Sequence, residues 1–246
     1  MKIQSKEYTD IATPTGMMRT HLFVPVGSRS WPTVLLYSEI YQMTGPIART
    51  ASWLAGHGYL VAVPEVYHEY ATPGEAFSYD QDGTDRGNRL KTTKPLADFD
   101  SDANCLLETL KTDGRCDGNF GAIGICLGGH LAFRAAMNPN VKACVCLYAT
   151  DIHKRSLGFG MSDDSLDRIP EIQGELLMIW GRQDPHIPRE GRRMIYDALA
   201  DANRCFTWHE FNGEHAFMRD EGHRYDPANA DIVHSMILEL LHRCLS

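Results

Sequence analysis

The sequence lacks long apolar segments and any excess of basic residues. No stretch of about 18 or more apolar residues occurs, and the opening MKIQSKEYTD contains no apolar core of the kind that export signals need. We therefore expect a cytoplasmic protein with no membrane partner. The formal net charge of -8 at pH 7 argues against nucleic acid as a partner, because phosphate binding needs a basic surface. A local basic patch for a small anionic substrate remains compatible with this charge.

The sequence also lacks a disulfide pattern, internal repeats and low-complexity tracts. Its seven cysteines are odd in number and without short regular spacings, so we expect free thiols. Cys144 and Cys146 share one face of an apolar run. No second Cys or His pair stands nearby at a ligand spacing, so no metal site is predicted there. With 246 residues, 43% of them hydrophobic, residues 1–246 are expected to form a single domain.

Short apolar runs alternate with helical patterns along most of the chain. Strands are predicted at 33–38, 59–66, 120–125, 141–149, 174–181 and 205–211. Helices are predicted at 47–58, 95–114, 127–137, 189–202 and 228–244. Strict alternation with apolar strands indicates an α/β fold, with a mostly parallel central sheet and helices on both faces. Residues 11–25, IATPTGMMRTHLFVP, are more typical of an antiparallel hairpin leading into that sheet.

Two polar, charged segments interrupt this alternation, residues 67–94 and 150–170. Each follows the end of a predicted strand, and ligands of such sheets bind outside the carboxyl ends of the strands. Long irregular segments in a compact domain are usually functional loops or lids, the alternative being surface without fixed structure. We therefore expect both segments to be loops near the ligand site.

Cys126 lies at the junction of a predicted strand and a predicted helix, in the sequence GICLGGH. This Gly-x-Cys-x-Gly pattern resembles the nucleophile elbow of α/β-hydrolases, with cysteine in place of serine. The nucleophile of an elbow occupies a sharp, strained turn, and Gly124 and Gly128 leave room for the neighbouring strand and helix. The backbone N–H of Leu127 would then point to a developing oxyanion. Cys126 is predicted to be a nucleophile rather than an inert core thiol.

A nucleophile of this class needs a histidine base and an acid that orients it, in the chain order nucleophile, acid, histidine. Asp184 directly follows one predicted strand, in GRQDPHIP, and His215 follows the next, in GEHAFMR. We expect these two residues to complete a triad with Cys126, although a turn-forming aspartate and a solvated loop histidine are the simpler alternatives. Weaker competitors for the two roles are Asp197, Asp201, His186, His209 and His223.

Glu39 follows the first buried strand, in the loop that donates the second oxyanion N–H in this fold, here that of Ile40. A carboxylate beside a thiol is unusual because it disfavours the thiolate. It has a chemical purpose if the carboxylate takes the thiol proton when substrate arrives. The alternative is an exposed loop acid.

Together, SEI around Glu39, GICLGGH around Cys126, GRQDPHIP around Asp184 and GEHAFMR around His215 resemble the dienelactone hydrolase family of the α/β-hydrolase superfamily. The resemblance runs from about residue 20 to 245. It implies an α/β-hydrolase fold and a Cys-His-Asp triad, with Glu39 activating the cysteine. The family's substrates are cyclic enol esters.

The resemblance also implies two arginines that hold a substrate carboxylate. Arg219 matches the one after the histidine, and Arg86 in DGTDRGNRLK matches the other, with Arg89 as a rival. The match is incomplete, because Leu90 stands where well-known dienelactone enzymes carry an aromatic residue.

The expected function is opening of a small carboxylate-bearing enol lactone through an acyl-enzyme, without a metal or organic cofactor. A general carboxylesterase or thioesterase with the same triad is the main alternative. A thiol-based sensor is a third hypothesis, but it gives Asp184 and His215 no purpose. The substrate is expected to be a small anionic molecule, and the protein a monomer or small homo-oligomer.

Overall fold

An eight-stranded sheet organises the structure, a computed structural model that describes residues 1–4, 7–161 and 163–245. The strands are β1 (Glu7–Thr13), β2 (Gly16–Phe23), β3 (Trp31–Tyr37), β4 (Leu60–Pro64), β5 (Cys116–Ile125), β6 (Val141–Leu147), β7 (Glu175–Gly181) and β8 (Phe206–Phe211). Their order across the sheet is β1-β2-β4-β3-β5-β6-β7-β8. The six strands from β3 to β8 run parallel, whereas β1 and β2 form an antiparallel hairpin that joins the sheet through β4. The predicted fold class, including the N-terminal hairpin, is confirmed.

Six helices accompany the sheet in the described part of the chain. They are α1 (Gly45–Gly56), α2 (Gln81–Thr93), α3 (Leu96–Lys111), α4 (Leu127–Ala135), α5 (Arg189–Asp201) and α6 (Pro227–Leu245). Two short 3-10 turns cover Phe159–Met161 and Ile169–Glu171. None of the described helices is long and apolar enough to cross a lipid bilayer.

The strand sequences are apolar throughout because helices cover both faces of the central sheet. On β5, a Cβ atom added to Gly121 would lie 3.0 Å from the Leu245 side chain in α6, whereas one added to Gly124 would meet α4. These two glycines are three residues apart and therefore face opposite sides of the sheet. β4 (Leu60–Pro64, LVAVP) is buried at every position, as expected for a parallel strand with two covered faces.

The predicted loop at 67–94 is wrong in its second half, which forms helix α2. The Asp80 side chain caps this helix by accepting a hydrogen bond from the Gly83 N–H at 2.8 Å. Only Gly83, Gly87 and Leu90 are buried, so the helix has almost no apolar periodicity. A Cβ at Gly87 would lie 2.5 Å from the Ile40 carbonyl oxygen. The glycines thus allow close packing against the loop that contains Glu39 and Ile40.

Candidate active site

Cys126 lies between β5 and α4, with φ 60° and ψ -119°. This strained conformation is rare for a residue with a side chain. A Cβ at Gly124 would lie 1.7 Å from the Gly128 carbonyl oxygen, and one at Gly128 would lie 2.2 Å from the Tyr37 carbonyl oxygen in β3. Glycine is therefore needed at both positions to close the turn. The turn leaves Cys126 partly exposed, at the base of a cavity.

Asp184 and His215 come together from loops that follow β7 and β8. The His215 Nδ1 lies 2.6 Å from Asp184 Oδ2, and both residues are buried. Burial alone lowers the pKa of His215, but the charge of Cys126 and hydrogen bonds to Asp184 and Cys126 outweigh it and raise the pKa to about 10. The three residues therefore interact with one another. Asp184 orients the imidazole through its Nδ1 atom, which leaves the Nε2 atom to interact with the Cys126 thiol.

Glu39 lines the same cavity as Cys126 and is 2% exposed. The Tyr79 hydroxyl donates a hydrogen bond to its Oε2 at 2.9 Å, and Arg219 Nη1 lies 3.5 Å from its Oε1. Burial raises the pKa of Glu39 above its ordinary value, although Arg219 and Tyr79 act in the other direction. Glu39 is thus a buried carboxyl with a raised proton affinity, rather than an exposed loop acid.

Ile40 and Leu127 supply the two backbone N–H groups that the sequence assigned to an oxyanion hole. Within residues 1–4, 7–161 and 163–245, neither N–H donates a hydrogen bond to another group of the protein. Both residues are buried, and a buried N–H without a partner is uncommon. Free N–H donors in the cavity that Cys126 lines are suited to stabilise negative charge on a substrate oxygen.

A cavity of about 770 Å³ opens above Cys126. Several of the residues discussed above line this cavity. Helix α2 contributes a further row of polar side chains at helical spacing. The lining residues from this helix are Gln81, Thr84, Asn88 and Lys91. Other polar residues that line the cavity include Glu39, Tyr79, Asp151, Lys154, His186, His215, Arg219, His223 and Arg224. The cavity is large enough for a small organic acid or ester.

Arg219 lines this cavity, but Arg86 does not. Arg86 lies on another side of α2, where its guanidinium pairs with the Glu75 carboxylate and covers the Phe77 ring. The rival Arg89 is also absent from the lining. The structure therefore does not bring either arginine to the cavity. Each lies two positions before a residue of α2 that lines the cavity, Asn88 or Lys91, and residues two positions apart on a helix do not share a face.

Sequence reasoning missed two residues of the site. Tyr79 was part of the predicted loop, and its partnership with Glu39 joins residues 40 positions apart. His186 was considered only as a weak competitor for the catalytic base, yet its ring centroid lies 4.6 Å from that of His215. The Asp-Pro sequence at 184–185 was the signal that could have placed His186, because it is typical of a turn. In this turn the His186 N–H donates a hydrogen bond to Asp184 Oδ1 at 2.8 Å.

A possible set of metal ligands lies outside the cavity, formed by His68, Glu69 and Asp102. The Lys94 ammonium stands among them, 2.7 Å from Glu69 Oε1 and hydrogen-bonded to Asp102. Lys94 is fully buried, and its ammonium occupies the position between the two carboxylates and offsets one of their two negative charges. These residues are better described as a buried ion-pair cluster.

Comparison with known proteins identifies the family. The model of the dienelactone hydrolase family matches residues 18–245. The chain is 38% identical to the protein named "Putative carboxymethylenebutenolidase" of Saccharomyces cerevisiae, with 98% of this chain and 92% of that protein covered. It is 26% identical to a carboxymethylenebutenolidase of Pseudomonas sp. strain P51, with 93% and 91% covered.

A solved structure has the same fold. The crystal structure titled "Putative Dienelactone Hydrolase" from Klebsiella pneumoniae superimposes with a TM-score of 0.86 at 22% identity, covering 98% of this chain and 99% of that one. The fold, the elbow at Cys126 and the extent of the family match lead to one conclusion: the chain belongs to the dienelactone hydrolase family and is a hydrolase with an α/β-hydrolase fold.

Proposed function

We propose that this enzyme opens a small carboxylate-bearing enol lactone, with Cys126 as the nucleophile and Asp184 and His215 completing the triad. The observation that carries the proposal is the hydrogen-bonded pair of His215 and Asp184 beside Cys126, at a cavity that also holds Arg219. The names of the relatives support the lactone substrate, because a carboxymethylenebutenolide is a lactone that bears a carboxylate.

In the first step the substrate carboxylate approaches Arg219. The Arg219 guanidinium is only loosely paired with Glu39, at 3.5 Å. A bidentate contact with the substrate carboxylate therefore competes with Glu39 for this guanidinium. Loss of the arginine contact further raises the proton affinity of the buried Glu39 carboxylate. Glu39 then takes the proton of Cys126.

His215 is a second acceptor for the same proton. Although burial acts in the other direction, Cys126 and Asp184 together raise the pKa of His215 to about 10, so its imidazole can accept and hold the proton that Cys126 releases. The two acceptors predict different resting states of Cys126. With His215 the thiolate is present in the free enzyme, whereas with Glu39 it forms only in the complex.

The thiolate attacks the lactone carbonyl, and the N–H groups of Ile40 and Leu127 stabilise the oxyanion. Collapse of this intermediate breaks the ring C–O bond and leaves a thioester with an enolate on the same substrate molecule. The enolate takes the proton that Glu39 or His215 accepted from Cys126, which leaves His215 free to act as a base. Water deprotonated by His215, whose orientation Asp184 fixes, then hydrolyses the thioester and restores the Cys126 thiol.

A general carboxylesterase or thioesterase activity is the second candidate. The observation that favours it is the position of Arg86, which pairs with Glu75 outside the cavity. One of the two arginines expected to select an acidic substrate is therefore not in place. An esterase of this kind would hydrolyse neutral and acidic esters at comparable rates.

The test is hydrolysis of cis-dienelactone and of a neutral aryl ester by the wild type, by Cys126→Ala and by Cys205→Ala. Cys205 is exposed and lies outside the cavity, so it controls for the loss of a thiol. We expect Cys126→Ala to lose at least about 1000-fold in kcat, and Cys205→Ala to match the wild type. Retained activity in Cys126→Ala would exclude the proposed nucleophile, and preference for the neutral ester would favour the second candidate.

The ultraviolet absorbance of the thiolate distinguishes the two acceptors. It is measured at neutral pH in the wild type, His215→Gln and Glu39→Gln, before and after addition of an acidic inhibitor. A thiolate signal in the free wild type that His215→Gln removes supports His215. A signal that appears only with the inhibitor, and not in Glu39→Gln, supports Glu39.

The cytoplasmic location and the anionic substrate expected from the sequence stay predictions. Cell fractionation checks the first, and the ratio of the two hydrolysis rates checks the second.

A further inference from the structure

The cavity contains positive charge that the proposed steps do not use. The charge comes from Lys154, which follows β6, and from Arg224, which lies between β8 and α6, whereas His186, which follows β7, adds an imidazole hydrogen-bond donor. All three residues line the cavity. We refer to Lys154, His186 and Arg224 as the cationic cluster.

The members of the cationic cluster lie close to one another and to the triad. The His186 ring centroid is 4.6 Å from that of His215. Burial lowers the pKa of His186, and the positive charges of His215, Arg224 and Lys154 lower it further. The Asp184 carboxylate acts in the opposite direction, so His186 is an imidazole with a lowered pKa that lies near Arg224, Lys154 and the proposed catalytic histidine.

The charge of the cationic cluster is only weakly compensated by the protein. The Arg224 Nε is buried without a hydrogen-bond partner, and the nearest carboxylate oxygen, on Glu214, lies 3.6 Å away. Among the described residues, no carboxylate lies within ion-pairing distance of the exposed Lys154 ammonium. By contrast, the Lys91 ammonium on α2 is 2.8 Å from Asp151. Uncompensated positive charge in a concave site attracts and retains anions.

The cationic cluster also borders the pair formed by Arg219 and Glu39. The charge of Arg224 acts on Glu39 together with that of Arg219, and the two arginines belong to the same loop after β8. An anion that contacts both Arg219 and Arg224 would therefore compete only with two long contacts, that of Arg219 with Glu39 at 3.5 Å and that of Arg224 with Glu214 at 3.6 Å, in the cavity that Cys126 also lines.

We propose that the cationic cluster is an anion subsite that holds the substrate carboxylate together with Arg219. This inference rests on the proposed function, and it assigns to Lys154, His186 and Arg224 the role that the sequence suggested for Arg86. The subsite acts on selectivity: it favours acidic over neutral substrates and takes no part in breaking the ester bond.

The experiment compares Lys154→Gln, Arg224→Gln and the double variant with Arg89→Gln. Arg89 is exposed and outside the cavity, so its variant removes the same charge without touching the subsite. We expect roughly a 10-fold or larger loss of kcat/KM on cis-dienelactone for each cluster variant, mostly in KM. On a neutral aryl ester we expect no change beyond about 2-fold, because only a carboxylate forms the charged hydrogen bonds.

Equal losses on both substrates, or the same loss in Arg89→Gln, would overturn the subsite. A second measurement separates its failure from that of the proposed function: calorimetric binding of the dicarboxylate cis,cis-muconate to the Cys126→Ala protein. If the wild type fails to hydrolyse the lactone but muconate binding depends on Lys154 and Arg224, the subsite holds and the lactone function falls. If the lactone is hydrolysed and binding is insensitive to both residues, the subsite falls. Absence of both hydrolysis and binding rejects both proposals.

Discussion

The two sides of the cavity are built in different ways. On the triad side, Cys126, Asp184 and His215 each follow a strand of one parallel sheet, and their positions depend on strand order. On the facing side, α2 belongs to the segment of residues 67–94 between β4 and α3, which we call the excursion. This helix presents a row of exposed and half-buried polar residues to the cavity. The chemistry is therefore fixed by the core of the fold, whereas the contacts of the substrate depend on how an added segment packs.

Glu39 belongs to both sides. Its carboxyl accepts a hydrogen bond from Tyr79, on the excursion, and lies near Arg219, on the loop after β8. This comparison indicates that changes on the triad side should abolish folding or turnover, changes at Glu39 should alter pH behaviour, and changes on the outer side of α2 should have little effect.

The largest effect on folding is expected for Gly124→Ala. Its new Cβ would lie 1.7 Å from the Gly128 carbonyl oxygen, and backbone cannot move aside within the elbow. We expect a loss of about 3 kcal/mol or more in the free energy of unfolding, at the upper end of overpacking effects. Denaturant unfolding measures it, with Gly114→Ala as the matched control because nothing lies within 4 Å of a Cβ there. Equal stability of the two variants would contradict the proposed need for glycine.

An intermediate effect is expected for Glu39→Gln, in the pH dependence of stability. The pKa of Glu39 is raised in the folded protein, mainly by burial, so its contribution to stability is present below the ordinary value of 4.5 and is lost as the pH rises through the raised pKa. Glutamine imitates the protonated form and cannot ionise. We therefore expect the Tm of Glu39→Gln relative to wild type to increase with pH.

Thermal unfolding across the acid and neutral range measures this difference. Glu190→Gln, at an exposed carboxylate outside the cavity, is the control for the loss of a carboxylate. A Tm difference for Glu39→Gln that decreases with pH would mean that Arg219 and Tyr79 outweigh the cost of burial.

The smallest effect is expected for Arg86→Gln. The ion pair with Glu75 is about one-third exposed at both partners, and such pairs contribute only about 0–1 kcal/mol to stability. We expect kcat/KM on the acidic lactone to stay within about 2-fold of wild type, since a charge outside the cavity gives no charged hydrogen bond to the substrate. A selective loss on the acidic lactone would show that α2 reorients on binding and brings Arg86 to the substrate.

The sheet, the elbow and the strand-end loops could be predicted because each has a strong local signal. Apolar strands predict a parallel sheet whose two faces are covered by helices. The topology of such a sheet brings the loops after different strands to one edge. Helix α2 could not be predicted in this way, because only Gly83, Gly87 and Leu90 are buried and interior glycines usually argue against a helix.

The position of Arg86 depends on packing that the sequence does not encode locally. Its partner Glu75 lies eleven residues earlier, on the part of the excursion that precedes the helix. Which of Arg86, Arg89 or Lys91 faces the cavity follows from the rotation of α2 about its axis, and the close approach of Gly87 to Ile40 constrains that rotation.

The contact between Gly87 and Ile40 also links substrate recognition to rate. The backbone of α2 rests directly on the residue whose N–H is assigned to the oxyanion hole, so a shift of the helix displaces that donor. A ligand that fits the row of polar residues on α2 poorly would leave the donor misaligned, and its lost binding energy would appear as slower turnover rather than weaker binding. A poor fit of the substrate along α2 would therefore raise the activation free energy of the reaction.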